Sequence, residues 1–172
     1  MKKLIVFIAL SMMLSCQEET KTAKEKVAPK EVAKPELIIK LEFKTNQEDV
    51  IILELDEIIV DEFQNKKILI SEKVIPTTTS EVITANFGSN TSRKFIIDLG
   101  SSQLKEFEIV SMSFEYGDKY MDITPGEIEN YFVLSKFTVL DKTSHKITTQ
   151  KVDNYHFPKL YARGLLWDRL LK

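Results

Sequence analysis

The sequence predicts an all-β fold, an antiparallel β-sandwich with a jelly-roll-like arrangement. The first observation is a period-two alternation of apolar and polar residues, which is typical of half-buried strands; Leu37, Ile39, Leu41 and Phe43 are the clearest example. The second is that these segments are short and separated by turn-forming residues. The third is that only two segments beyond residue 36 favour a helix. Together these observations indicate two packed sheets.

Short alternating segments account for most of the chain beyond residue 36. Eight are predicted as strands: residues 37–43, 50–60, 67–75, 81–87, 94–99, 107–116, 136–140 and 146–152. Residues 88–90 and 100–102 each begin with glycine and supply the backbone freedom of a tight turn. The polar residues 141–145, which include His145, are predicted to form a hairpin loop.

One short helix is predicted at Thr124-Pro125-Gly126-Glu127. Threonine caps a helix, proline suits its first position, and the glutamate three residues later bonds back to the cap. Ile128, Tyr131 and Phe132 are then expected to face the sandwich.

A second helix is predicted over residues 159–172, the C-terminal tail. Its apolar residues share one face at 3.6-residue spacing: Leu160, Leu166, Trp167, Leu170 and Leu171. Gly164 weakens this helix by about 1 kcal/mol. Two roles remain open, because the apolar face either closes one end of the sandwich or docks on a partner or membrane.

The amino terminus has the pattern of a secretory signal peptide, predicted over residues 1–15. Lys2 and Lys3 precede an apolar stretch from Leu4 to Leu14. As a helix this stretch is about 16 Å long, too short for the ~30 Å hydrocarbon core. Residues 17–35 contain no aromatic residue, leucine or isoleucine, and are predicted to be a disordered tether. Residues 36–172 have the size of one domain.

The segment Met13-Leu14-Ser15-Cys16 resembles the lipobox of bacterial lipoproteins. The resemblance implies that Cys16 carries acyl chains such as palmitate and becomes the first residue of the mature protein. Cys16 is the only cysteine, so the domain has no disulfide framework. The lipid makes the membrane the first expected partner. Glu18-Glu19 resembles the export signal of Bacteroidota surface lipoproteins, which implies an outer-membrane location, either surface-exposed or periplasm-facing.

Two neighbouring runs, residues 93–100 and 107–114, contain Ile-Ile-Asp-Leu-Gly and Glu-Ile-Val-Ser-Met-Ser. They resemble a β-sandwich domain of poorly characterised Bacteroidota surface and membrane proteins, as do residues 45–50 and 127–132. The likeness extends over about residues 37–158. It implies a sandwich similar in shape to galactose-binding-like and other carbohydrate-binding modules, and it transfers no catalytic residue.

Few motifs with a known chemistry occur. There is no His-x-x-x-His, Cys-x-x-Cys, Gly-x-Ser-x-Gly or glycine-rich phosphate loop, and His145 and His156 are the only histidines. We therefore expect no metal, no cofactor and no catalytic residue. The net charge of −2 gives no reason to expect nucleic acid. Carboxylates are numerous, and a glycoside hydrolase needs only two across a cleft.

Aromatic residues near loops and element ends are the remaining candidates for ligand binding, because sugar-binding sandwiches stack exposed rings on pyranose faces. These candidates are Tyr116, Tyr120, Tyr131, Tyr155 and Trp167. The sequence thus predicts a membrane-anchored, non-enzymatic binding module, with glycans as the first candidate ligand. The alternative is an accessory or assembly lipoprotein that binds an envelope protein, and the third hypothesis is a glycoside hydrolase-like enzyme.

Overall fold

The computed structural model describes residues 34–172. The predicted signal peptide, Cys16, Glu18-Glu19 and the tether up to residue 33 lie outside the described residues. The described part forms two antiparallel sheets and two short α-helices. The predicted all-β sandwich is therefore confirmed.

The first sheet contains six strands in the order β4-β1-β6-β10-β9, and β7 also pairs with β6. Two different strands pair with β6 along the side that faces away from β1. Glu106–Glu108 pair with β10, and Met112–Tyr116 pair with β7. The strands of this sheet are β1 (Leu37–Thr45), β4 (Glu81–Asn86), β6 (Glu106–Tyr116), β7 (Lys119–Ile123), β9 (Thr138–Leu140) and β10 (Lys146–Thr149).

The second sheet contains five strands in the order β3-β2-β5-β11-β8. All its pairs are antiparallel. These strands are β2 (Asp49–Ile59), β3 (Asn65–Val74), β5 (Lys94–Asp98), β8 (Phe132–Leu134) and β11 (Lys159–Ala162).

Apolar side chains from both sheets form one core. The alternation predicted for β1 is confirmed, because Leu37, Ile39, Leu41 and Phe43 are fully buried. Phe95 of the second sheet meets the ring of Phe114 of the first edge to face, with centroids 5.7 Å apart. Such aromatic contacts add stability beyond the area they bury.

The helical turn after β7 is confirmed. A 3-10 turn, Pro125–Glu127, continues into α1 (Ile128–Tyr131). The Glu127 carboxylate accepts the Thr124 backbone N–H at 3.1 Å and the Thr124 hydroxyl at 2.8 Å, as the capping sequence predicts. Ile128, Tyr131 and Phe132 are buried.

The C-terminal tail differs from the prediction of one helix over residues 159–172. Lys159–Ala162 form β11, which pairs with both β5 and β8, and α2 covers only Gly164–Leu170. A four-residue strand gains two sets of ladder hydrogen bonds in the middle of a sheet, and this tertiary pairing outweighs local helix propensity. Gly164 begins the helix instead of interrupting it.

The apolar face of α2 packs into the core. Leu166, Trp167 and Leu170 are buried, whereas Leu171 remains 45% exposed. The indole Nε1–H of Trp167 donates to the backbone oxygen of Arg93 at 2.9 Å. The helix therefore closes one end of the sandwich, the first of the two roles left open by the sequence.

Three strands, β7, β8 and β11, were not among the eight predicted. Strand β7 is the second strand of a hairpin with β6, and Gly117 in the turn between them adopts the left-handed region at φ +64°. Glycine adopts this conformation without the strain of a Cβ atom. The added strands extend the predicted architecture without changing its class.

Candidate functional site

The structure does not bring the five predicted aromatic residues together. Tyr131 and Trp167 are almost completely buried, so their ring faces are covered by protein. The Tyr131 hydroxyl accepts a hydrogen bond from Arg169, whose guanidinium lies 5.6 Å from the ring centroid. Neither residue can stack on a ligand in this conformation, and we correct both assignments to core positions.

Tyr116 and Tyr120 lie on the β6–β7 hairpin. Tyr116 is half-buried and lines a groove with Pro35, Lys119 and Leu171. Tyr120 is exposed, and its hydroxyl donates to Asp122 at 2.5 Å. The hydrogen bond to this carboxylate raises the pKa of Tyr120 above its ordinary value of 10.0. No aromatic stacking partner of either ring occurs among residues 34–172.

Tyr155 belongs to a group of three neighbouring rings, which we call the aromatic platform: Tyr155 and Phe157 are exposed, and Phe137 is half-buried. Tyr155 and Phe157 stack at 6.1 Å between centroids with an interplanar angle of 26°. Phe137 meets Phe157 edge to face at 5.8 Å. Tyr155 is 61% exposed and Phe157 50%. Exposed aromatic rings in contact with one another are a common feature of binding surfaces.

Two connections between the sheets position these rings. Phe137 lies between β8 and β9, and the other two rings lie between β10 and β11. The backbone N–H of Gln150 donates to the Phe137 oxygen at 2.8 Å and joins the two connections. Ser135 accepts the Lys159 amide at its hydroxyl, 3.0 Å, and donates its own amide to the Lys159 oxygen at 2.9 Å.

A tight turn fixes Tyr155. Val152 and Tyr155 exchange two backbone hydrogen bonds of 3.0 Å. Asp153 and Asn154 between them have φ values of 52° and 64°. Positive φ at both central residues is the signature of a type I′ turn, and Asp and Asn tolerate it better than most residues. The platform is thus presented by a hydrogen-bonded framework.

Polar groups border the platform. The Lys136 ammonium lies 5.3 Å from the centroid of the Phe137 ring and 3.9 Å from the Asp153 carboxylate. The Gln150 side-chain amide donates to the Lys136 backbone oxygen at 2.9 Å. Rings flanked by charged and amide groups combine stacking with hydrogen bonding, as recognition of a polar ligand with apolar faces requires.

The sequence predicted only Tyr155 of the three platform residues. Phe137 lies within the predicted strand 136–140, and Phe157 precedes Pro158 in an irregular segment. The segment Tyr155-His156-Phe157 was the signal in the sequence that could have indicated the platform. Its first and third side chains are exposed, and the His156 side chain between them is buried.

Strand β2 carries the densest group of carboxylates, a candidate for the glycoside hydrolase hypothesis. Glu54 pairs with Lys67 at 2.6 Å, and Asp56 lies 3.6 Å from Lys94. A hydrogen bond from the Glu57 amide, with both lysines nearby, holds the pKa of Asp56 below its ordinary value. A glycosidase acid needs the opposite shift, so these residues resemble a surface ion-pair ladder more than an acid and base.

A buried ion pair links the start of β2 to the segment before β6. Lys105 and Asp49 are both buried, and the ammonium also donates to the backbone oxygen of Leu99 at 2.7 Å. Asp49 accepts the Val50 amide at 2.8 Å and both the amide and hydroxyl of Ser102 at 3.0 Å. Every partner comes from the same closed junction, which indicates a structural role.

The burial of this pair has opposite effects on its two members. Burial lowers the pKa of Lys105, and Asp49 only partly offsets that shift. Burial alone would raise the pKa of Asp49, but hydrogen bonds from Lys105 and Val50, the Lys105 charge and a hydrogen bond from Ser102 outweigh it, and the pKa lies below 3.8.

Acid is therefore expected to weaken the fold through Asp49. Because its folded-state pKa is depressed, its contribution to stability is complete above about pH 4 and is lost as the pH falls through the folded value. Urea unfolding from pH 5 to 2.5, followed by fluorescence of the single tryptophan, checks this. Asp49→Asn should show a shallower pH dependence than the wild type, and parallel curves would contradict the assignment.

Residues 34–172 contain no group of three or more His, Cys, Asp or Glu side chains arranged to hold a metal ion. Within the same residues, no helix has the length and apolar character needed to cross a bilayer. Comparison with the models of known protein families, with curated proteins and with solved structures gives no match to this chain.

Proposed function

We propose that this chain is a lipid-anchored cell-envelope protein of the outer membrane whose β-sandwich is a non-enzymatic, glycan-binding module. The observation that carries the proposal is the aromatic platform. The sequence supplies the anchoring part, through the apolar segment ahead of Cys16 and the lipobox-like Met13-Leu14-Ser15-Cys16.

Glycans fit the platform for a chemical reason. A pyranose has apolar faces made of C–H groups and an equator of hydroxyls. The rings of Tyr155 and Phe157 offer apolar area for the first, and Lys136, Gln150 and Asp153 offer donors and acceptors for the second. A ligand of this kind is bound without any bond being broken, so the proposal requires no catalytic group.

The platform is also favourable energetically. Its rings are already in contact with one another, and the turn at residues 152–155 holds Tyr155 in place. Binding then orders few side chains, and pre-organisation of this kind improves affinity.

Alanine substitution of either platform ring is expected to weaken glycan binding about tenfold, equivalent to about 1.4 kcal/mol. A glycan array identifies the ligand, and titration calorimetry with Tyr155→Ala and Phe157→Ala measures the loss. Tyr120→Ala is a matched control, because Tyr120 and Tyr155 are both 61% exposed. Equal losses in all three variants, or none in the platform variants, would contradict the proposal.

The rival function is an accessory lipoprotein that binds an envelope protein. The observation that favours it is the tip of the β2–β3 hairpin, where Ile59, Val60 and Phe63 are exposed, Phe63 by 91%. Asp61 and Glu62 lie beside them, so this surface is apolar with an acidic border. An array without glycan binding, together with loss of cross-links to one envelope protein in Phe63→Ala, would favour this rival.

A further inference from the structure

Five strands of the described residues are paired on one side only, and their lengths differ. Strands β8 and β9 have three residues each, β7 has five and β4 has six, whereas β3 has ten. Among residues 34–172, strand β3 pairs only with β2, so within these residues its other side presents a row of unpaired backbone N–H and C=O groups. Proteins usually shorten or cover such edges, and β3 is the edge that this protein leaves long.

The two faces of β3 differ. Ile68 and Ile70 point towards the core and pack against it while remaining partly exposed. Leu69 lies between them on the outer face and is 55% exposed. The apolar core therefore extends to the β3 edge, where the side chains of Ile68 and Ile70 remain partly exposed to solvent.

Lys66 and Glu72 share the inner face with these isoleucines, because side chains alternate along a strand. Among residues 34–172 neither has an ion-pair partner within 4.0 Å. Inward-pointing charges at an edge oppose pairing with an arbitrary apolar strand, since that strand would bury them alone.

We propose that β3 pairs antiparallel with β3 of a second copy of this chain, with Leu69 at the two-fold axis. In this register Leu69 faces Leu69, and Ile68 faces Ile70 of the other copy. Lys66 faces Glu72 of the other copy, and the symmetry makes this pair twice. Lys66 and Glu72, which disfavour pairing with other strands, thus become complementary to each other. The five-stranded sheets of the two copies join into one continuous sheet of ten strands.

The neighbouring registers lack this complementarity. The core-facing side chains of both copies lie on the same face of the joined sheet only if the two-fold axis passes through a residue. The nearest alternative registers therefore have the axis at Ile70 or at Ile68. An axis at Ile70 opposes Lys67 to Lys73, two like charges, and Ile68 to Glu72. An axis at Ile68 opposes Lys66 to Ile70. Charge therefore selects the register centred on Leu69.

Cysteine cross-linking tests this register directly. Residues directly opposite in an antiparallel pair have Cα atoms about 4.5–5.5 Å apart, within the range of a disulfide. We expect full-length Leu69→Cys, oxidised in detergent, to form a dimer on a non-reducing gel. Val82→Cys is the matched control, an exposed β-branched residue on the edge strand β4, and the wild type controls for Cys16.

Charge exchange tests the mechanism in the same cysteine background. Lys66→Glu places like charges opposite each other twice and should lower the cross-linked fraction about tenfold. Lys66→Glu combined with Glu72→Lys should restore it, whereas Lys151→Glu, the same change on an exposed loop residue, should leave it unchanged. Cross-linking no higher than in Val82→Cys, or a double variant without rescue, would overturn the proposal.

Discussion

Replacing Asp49 with asparagine is expected to lower the free energy of unfolding by about 3–5 kcal/mol. The variant keeps the shape of the side chain but leaves the Lys105 ammonium buried without a counter-charge. Lys105→Met should have a comparable effect, because the buried Asp49 carboxylate then loses its cation and the Leu99 oxygen loses its donor. Either loss is a large part of the 5–15 kcal/mol that stabilises a typical domain.

The double variant Asp49→Asn with Lys105→Met is expected to be more stable than the sum of the two single losses predicts. It leaves no buried charge at this junction, and the asparagine oxygen can still accept one of the two amides, Val50 or Ser102, that bond to separate oxygens of the Asp49 carboxylate. Urea unfolding followed by Trp167 fluorescence measures the double-mutant cycle. Additive losses would show that the two side chains act independently and would contradict the pairing.

Trp167→Ala is expected to destabilise the fold by about 3–5 kcal/mol, the usual effect of removing a large aromatic side chain from a core. The indole fills the contact between α2 and the sheets and satisfies the Arg93 backbone oxygen. Urea unfolding monitored by circular dichroism gives the value, since the variant has no tryptophan.

Trp167→Phe separates packing from hydrogen bonding. It keeps most of the apolar volume and loses the N–H donor, so a loss of about 1–3 kcal/mol is expected from the unsatisfied oxygen and the residual cavity. Leu171→Ala is the control, because Leu171 lies in the same tail and is 45% exposed. If Trp167→Ala unfolded at the wild-type urea concentration, the core role of α2 would be wrong.

Local sequence patterns were enough to predict those elements whose conformation does not depend on which distant residues pack against them. The alternation in β1 follows from the requirement that one strand face meet the core, whatever lies across from it. The Thr124–Glu127 turn is stabilised within four residues, so its sequence alone predicts it. The short polar connections could be located for the same reason.

Features that depend on distant partners could not be predicted in this way. Residues 159–162 form a strand because β5 and β8 lie on either side of them. The sequence of the tail contains no pattern that indicates these two neighbours. Lys105 looks like a surface residue in the sequence, yet Asp49, 56 positions away, holds it inside.

The platform illustrates the same limit at the candidate site. Tyr155 was predicted from its place near an element end, but its stacking with Phe157 depends on the turn at Asp153-Asn154. The burial of Tyr131 and Trp167 depends on how α1 and α2 pack on the sheets. Residue type and position indicated aromatic candidates, and only the tertiary fold decided which rings reach solvent.

The two ends of β6 have different neighbours. At its last residue, Tyr116 shares a groove with Pro35, where the described chain enters the domain. Just before its first residue, the backbone oxygen of Lys105 accepts a hydrogen bond from the Thr149 amide, next to the connection that bears Tyr155. Eleven residues at about 3.3 Å each separate these ends by about 36 Å. The platform and the point where the described chain enters the domain therefore lie at opposite ends of β6, so a long polymer bound at the platform need not contact the residues around Pro35.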